Sequence, residues 1–142
     1  HNIPILNSNT NLFSNNSLKG KLFAISVGDN RIRANLSKEI NVKGGITPTL
    51  IHPKAVVSKY ATIGEGVVIH PNAIIQAGAC IGNDTVISFC ASVTHTSVVG
   101  KACYLAALAH IGAYVKVNDF VLVGQGAIIV SSKVSYIGAN SI

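Results

Sequence analysis

The sequence has no tryptophan, no methionine and only five acidic residues among 142. Each shortage excludes something. A globular core usually takes much of its buried area from large aromatic side chains, so another packing scheme must stabilise this chain. Its apolar residues are mostly Ile, Val and Ala, which suit strands and closely stacked backbones. Eleven basic and five acidic residues are few for a soluble surface, and imply that partner subunits cover part of it. The net charge of +6 suits an anionic partner. There is no Lys/Arg run and no basic stripe interleaved with aromatics, which argues against nucleic acid and leaves a phosphate-bearing small molecule. Cys80, Cys90 and Cys103 form no C-x-x-C pair and read as free thiols in a reducing cytoplasm. No segment resembles a signal peptide or is long enough to span a bilayer, so a cytoplasmic protein without membrane contact is expected.

What is present is a repeat. Every sixth residue from Ile51 to Ile129 is Ile, Val or Leu, fourteen positions in succession. Four residues after each stands a small or β-branched residue, from Ala55 to Ala127, until Lys133 breaks the column. Neither an amphipathic helix nor an alternating strand has period six. A coil of short strands does, when every third hexapeptide stacks on the coil below at about 4.8 Å. Residues 51–134 therefore predict about five coils of a parallel β-helix, an all-β fold. Gly64, Gly82, Gly100, Gly112 and Gly124 follow the aliphatic column, where a close turn would use their backbone freedom. After Ile129 the next match is Ile137, eight residues on, which predicts a two-residue bulge within residues 131–135.

The first fifty residues differ. Residues 21–27 read as a strand, and residues 31–40 as a helix with Ile32, Leu36 and Ile40 spaced by four. Residues 7–17 are rich in Asn and Ser and read as loop. One strand and one helix cannot bury a core alone. This segment is expected to cap an open end of the β-helix or to be the remnant of a larger domain. The other end, after Ile142, is expected to be cut short or covered by a partner.

Three segments occur in order: FAISVGDNRIR (residues 23–33), IHPKAVV (51–57) and VTHTSVVG (93–100). With them the chain resembles the hexapeptide-repeat sugar acetyltransferases of the sialic acid O-acetyltransferase and UDP-4-amino-sugar N-acetyltransferase group. The resemblance implies a partial α/β, Rossmann-like sugar-nucleotide segment over residues 1–47. A left-handed β-helix acyltransferase domain would follow over 48–142. It also implies a homotrimer, acetyl-CoA as donor and a sugar amine or hydroxyl as acceptor. Four features depart from that pattern. The family's opening Gly-rich strand would precede His1, and the acid that follows its catalytic His is Thr96 here. A second His nine residues after the first is Tyr104, and a Pro-Gly pair is Ala107-Leu108.

Acetyl transfer from a thioester needs a base, donors for the tetrahedral oxyanion and alignment of two substrates. His95 is the candidate base: imidazole titrates near working pH, and its position lies off both inward columns. The resemblance places it in a cleft between subunits, oriented by a neighbouring acid that Thr96 cannot supply. Asp84 or Asp119 from another coil or subunit is the candidate replacement. Thr96 and Tyr104 are candidate substrate contacts, as are Asp29 and Asn30 in the turn after a strand, where α/β domains bind ligands. His110 faces outward by register and, with Gly112, Gly124 and Lys133, is a candidate contact for coenzyme A.

Two rival readings compete. A β-helical carbonic anhydrase would need three well-placed His ligands for zinc. Its closely spaced His pair is absent, since Val115 stands five residues after His110, and no metal is expected. The alternative is a catalytically impaired or truncated assembly module that keeps only trimer formation and coenzyme A binding.

Overall fold

A computed structural model of the chain describes residues 18–142. The expected loop at residues 7–17 lies outside them. Residues 50–137 wind into five coils of a left-handed parallel β-helix with three faces, each a five-stranded parallel sheet. Face I stacks Leu50–Ile51 (β1), Val68–Ile69 (β4), Val86–Ile87 (β7), Tyr104–Leu105 (β10) and Leu122–Val123 (β13). Face II stacks Val56–Val57 (β2), Ile74–Ile75 (β5), Ser92–Val93 (β8), His110–Ile111 (β11) and Ile128–Ile129 (β14). Face III stacks Thr62–Ile63 (β3), Cys80–Ile81 (β6), Val98–Val99 (β9), Lys116–Val117 (β12) and Tyr136–Ile137 (β15).

The second residue of each strand points inward and sits on its counterpart one coil away, as in Ile69 on Ile87 and Leu105 on Val123. Ala73, Ala79, Ala91 and Ala109 fill the narrow corners between these aliphatic rows and are fully buried. Inward hydroxyls serve the backbone there. Thr85 Oγ1 donates to the Gly100 carbonyl (2.8 Å) and accepts from the Cys103 N–H (3.0 Å). Cys103, one coil up in the same column, gives its thiol to the Asn118 carbonyl (3.0 Å).

The glycines after the aliphatic column are not where the chain turns. Every left-handed residue in the coils falls two positions later, from Gly66 through Thr96 and Tyr114 to Gly126, and most are not glycine. Their N–H groups donate to the coil below, as Asp84 does to Glu65 (2.8 Å) and Phe120 to Lys101 (3.0 Å), which offsets the unfavourable backbone angle. Gly82 is needed for a different reason. A Cβ there would lie 2.6 Å from the backbone of Gly100 and Lys101, so its role is close approach of coils. The bulge is where it was expected: residues 131–133 form a turn, and Tyr136–Ile137 still registers on Lys116–Val117.

The helix runs from Asn30 to Val42 (α1), two residues beyond its expected end. Asp29 caps it, its Oδ1 accepting from the N–H groups of Arg31 (2.9 Å) and Ile32 (2.8 Å). The strand expected over residues 21–27 is reduced to one parallel bridge between Leu22 and Ile46. A strand needs a partner to exchange hydrogen bonds, and among the described residues Ile46 alone bridges this segment. Nor does α1 cap an end of the prism. It lies against the edge where faces III and I meet, because its polar side chains find acceptors there. Asn30 Nδ2 donates to the Val121 carbonyl (3.2 Å) and Arg31 Nη2 to Asn140 Oδ1 (2.6 Å). Arg33, only 2% exposed, donates to the carbonyls of Asp84 (2.8 Å) and Cys103 (3.0 Å).

Candidate active site

The edge between faces II and III is built by residues 58–61, 76–79, 94–97, 112–115 and 130–135, none of which is Asp or Glu. His95 stands on this edge with its side chain exposed. Three coils hold it. Gln76 Oε1 on the coil below accepts its backbone N–H (3.1 Å), and its carbonyl accepts the Tyr114 N–H (3.4 Å) from the coil above. In its own coil, His95 Nδ1 lies 3.4 Å from Thr96 Oγ1. The Tyr114 ring meets the imidazole edge to face, centroids 5.3 Å apart and planes at 87°. The imidazole is thus flanked by Thr96 and Tyr114 and otherwise exposed.

The acids proposed as its support lie elsewhere in the chain. Asp84 and Asp119 are on the III/I edge, where Asp119 accepts the Lys101 N–H (2.9 Å) and approaches its ammonium (3.7 Å). Within one chain neither reaches His95.

His110, on the outer surface of face II, is not a free imidazole: its Nδ1 lies 2.7 Å from Ser92 Oγ. Gly112 gives its N–H to the Ile129 carbonyl (2.8 Å), so that group is not available to a pantetheine arm. Its position is instead set by close packing, since a Cβ would lie 2.6 Å from Ser131 Oγ. Gly124 and Lys133 are exposed on the last coil, Lys133 at the tip of the bulge with its N–H on the Val130 carbonyl (2.9 Å).

A second cluster forms on face I. A cavity of about 350 Å³ separates residues 24–28 from the sheet, lined by Gly28, Leu50, Val68, His70, Val86 and Tyr104 among others. Tyr104 covers the Arg33 guanidinium, whose carbon lies 5.9 Å from the ring centroid. Arg33 also donates to Val27 and Gly28 (3.1 Å each) and to Asn30 Oδ1 (2.7 Å). Burial pulls this guanidinium below its usual pKa, while the Asp84 charge opposes that shift. Asp29 and Asn30 therefore spend their polar groups on capping and docking α1. The structure brings them together with Tyr104 but not with His95, which occupies the edge opposite face I. Two residues of these clusters do not stand out in the sequence. Arg33 looks like an exposed helix cation, and only its register to the prism buries it. Tyr114 follows His95 by one coil and one residue, a spacing that the eighteen-residue coil makes legible.

Among the described residues no three His, Cys, Asp or Glu side chains could share a metal ion, and no helix is long and apolar enough to cross a membrane.

The fold and its edge define the class: a left-handed hexapeptide-repeat β-helix with a short α/β segment laid along one side. Residues 45–141 match the GMPPB C-terminal domain family model, and the chain belongs to that family. It is also similar to characterised sugar N-acetyltransferases. It shares 49% identity over 47 residues with UDP-N-acetylbacillosamine N-acetyltransferase of Bacillus subtilis, which is 33% of this chain and 22% of that one. GDP-perosamine N-acetyltransferase of Escherichia coli O157:H7 is 29% identical over 120 residues, 84% of this chain and 54% of the relative. Among solved structures, PerB of Caulobacter crescentus in complex with CoA and GDP-perosamine superposes with a TM-score of 0.64 at 28% identity, over 78% of this chain and 62% of that one. WeeI of Acinetobacter baumannii shows the same fold, with a TM-score of 0.82 at 21% identity, over 92% of this chain and 63% of that one. The chain spans about half or less of the length of the curated relatives it matches.

Proposed function

We propose that the chain is an acetyl-CoA-dependent N-acetyltransferase of a nucleotide-linked amino sugar, with His95 as general base. The observation that carries this reading is an exposed imidazole on an edge without carboxylates, its backbone held by the coils on either side and its ring flanked by Thr96 and Tyr114. The similarity to two N-acetyltransferases favours an amine over a hydroxyl as the attacking group. With Nδ1 turned toward Thr96, Nε2 is the nitrogen open to substrate. It would take a proton from the sugar amine as the nitrogen attacks the thioester carbonyl carbon. The C–S bond then breaks and the CoA thiolate leaves, taking the proton back from the imidazolium. Lys59 and Lys133, the two cations on this edge, suit the phosphates of the donor.

In this reading the site is completed between copies of the chain. His95 and the Tyr104 cluster lie on opposite parts of one prism, so a neighbouring subunit must bring the acceptor-binding surface to the II/III edge. A homotrimer does this with three equivalent sites. Residues 1–47 then serve as the sugar-nucleotide unit and 48–142 as the acyl-transfer unit. Isothermal calorimetry with acetyl-CoA tests the donor half. Saturable binding, retained in His95→Ala, is expected, because the base acts on the acceptor. No heat at millimolar ligand would contradict the reading. Saturable binding without turnover on any amino sugar would favour an assembly module that has kept only coenzyme A.

A further inference from the structure

We propose that Tyr114 is the positioning residue for His95, taking over the orienting duty for which the chain has no adjacent acid. This rests on the assignment of His95 as base. Thr96 sets one limit on the ring, but a hydroxyl at 3.4 Å is a weak tether for an exposed imidazole. Tyr114 supplies the other limit. Its ring lies across the imidazole at 87° with centroids 5.3 Å apart, a favourable aromatic geometry. No carboxylate on this edge competes for that role.

The backbone shows that the ring is not kept for the sake of the turn. Tyr114 sits in the left-handed region with φ 61°, at a corner whose counterpart one coil lower is Thr96 and two coils lower Gly78. A glycine would satisfy this corner with less strain. The tyrosine is 68% exposed, so it contributes little burial within the chain. What it does contribute is contact with His95, through its ring and through its N–H to the His95 carbonyl.

The test compares the assembled wild-type protein with Tyr114→Gly, Tyr114→Phe and His95→Ala. Glycine removes the ring while giving the corner the residue its backbone favours, so a folding defect is not the expected result. The expected outcome for Tyr114→Gly is a fall of about tenfold in kcat with KM for acetyl-CoA unchanged. Phenylalanine, which keeps the ring, should restore most of it. By NMR, the His95 ring protons, assigned through His95→Ala, should move in the glycine variant and stay near their wild-type positions in the phenylalanine variant. Unchanged kcat in Tyr114→Gly, or a loss confined to KM, would overturn the proposal while leaving His95 as base. Full activity in His95→Ala would instead overturn the assignment of the base, and this proposal with it.

Discussion

Of the α1 side chains that dock on the prism, Arg33 makes the most hydrogen bonds. Its buried guanidinium makes five hydrogen bonds, to Val27, Gly28, Asn30, Asp84 and Cys103, and so ties α1 and the preceding turn to two coils at once. Replacing it with Met would leave those acceptors without their donor. A loss of roughly 2–4 kcal/mol in docking free energy is expected. Amide exchange should accelerate across Asn30–Val42 while the strands keep their protection, and uniform loss of protection would contradict a local role. Cys103 carries a second prediction at this scale. Burial raises its thiol from 9.0 to about 11, with the nearby backbone hydrogen bonds opposing that. The folded chain therefore holds this proton more tightly than the unfolded chain. Stability from this group is complete below pH 9 and is lost as pH rises toward 11. Urea titrations of Cys103→Thr, which borrows the hydroxyl geometry of Thr85, should show a shallower alkaline decline. In native protein a thiol reagent at pH 8 should modify exposed Cys90 and spare Cys103 until the chain unfolds.

At the scale of the element, a two-residue strand is held by stacking alone. This is why the fold was legible in the sequence. Each coil repeats one geometry, so each sixth residue meets the same interior and must be aliphatic, and the eight-residue step before Tyr136–Ile137 marked its own bulge. The left-handed corner was not legible. Its column holds Leu108, Tyr114 and Phe120 as well as glycine, because an N–H bond to the coil below tolerates almost any side chain. The strand expected at residues 21–27 failed for another reason: pattern gives a segment the tendency to extend but cannot supply its partner. The two glycine environments separate cleanly by mutation. Gly82→Ala drives a methyl into the backbone of Gly100 and should cost about 1–3 kcal/mol. Gly124→Ala has open space around the added methyl and should be close to neutral. Thermal unfolding of the pair checks this, and equal losses would contradict the distinction.

On the scale of the whole molecule, the prism divides its work among its sides. The III/I edge carries Glu65, Asp84 and Asp119 and receives α1, while the II/III edge carries His95 with Lys59 and Lys133. Val56, Ile74 and Ile128 on face II are left exposed, a surface that fits burial against further copies of the chain. Sedimentation equilibrium should return a mass of three chains, and a single-chain mass at micromolar concentration would contradict the proposed assembly. The outward position of His95, off the inward columns, was legible from the register of the repeat. Its partners were not, because Gln76 and Tyr114 reach it only once the coils stack.

The central claim is that His95 takes the proton in acetyl transfer, and the most direct measurement is release of CoA thiol. The assembled protein would be supplied with acetyl-CoA and a panel of nucleotide-linked amino sugars, beside His95→Ala. Acceptor-dependent thiol release is expected in the wild type, reduced at least a hundredfold in the variant with acetyl-CoA binding intact. Equal release by the two proteins would contradict it.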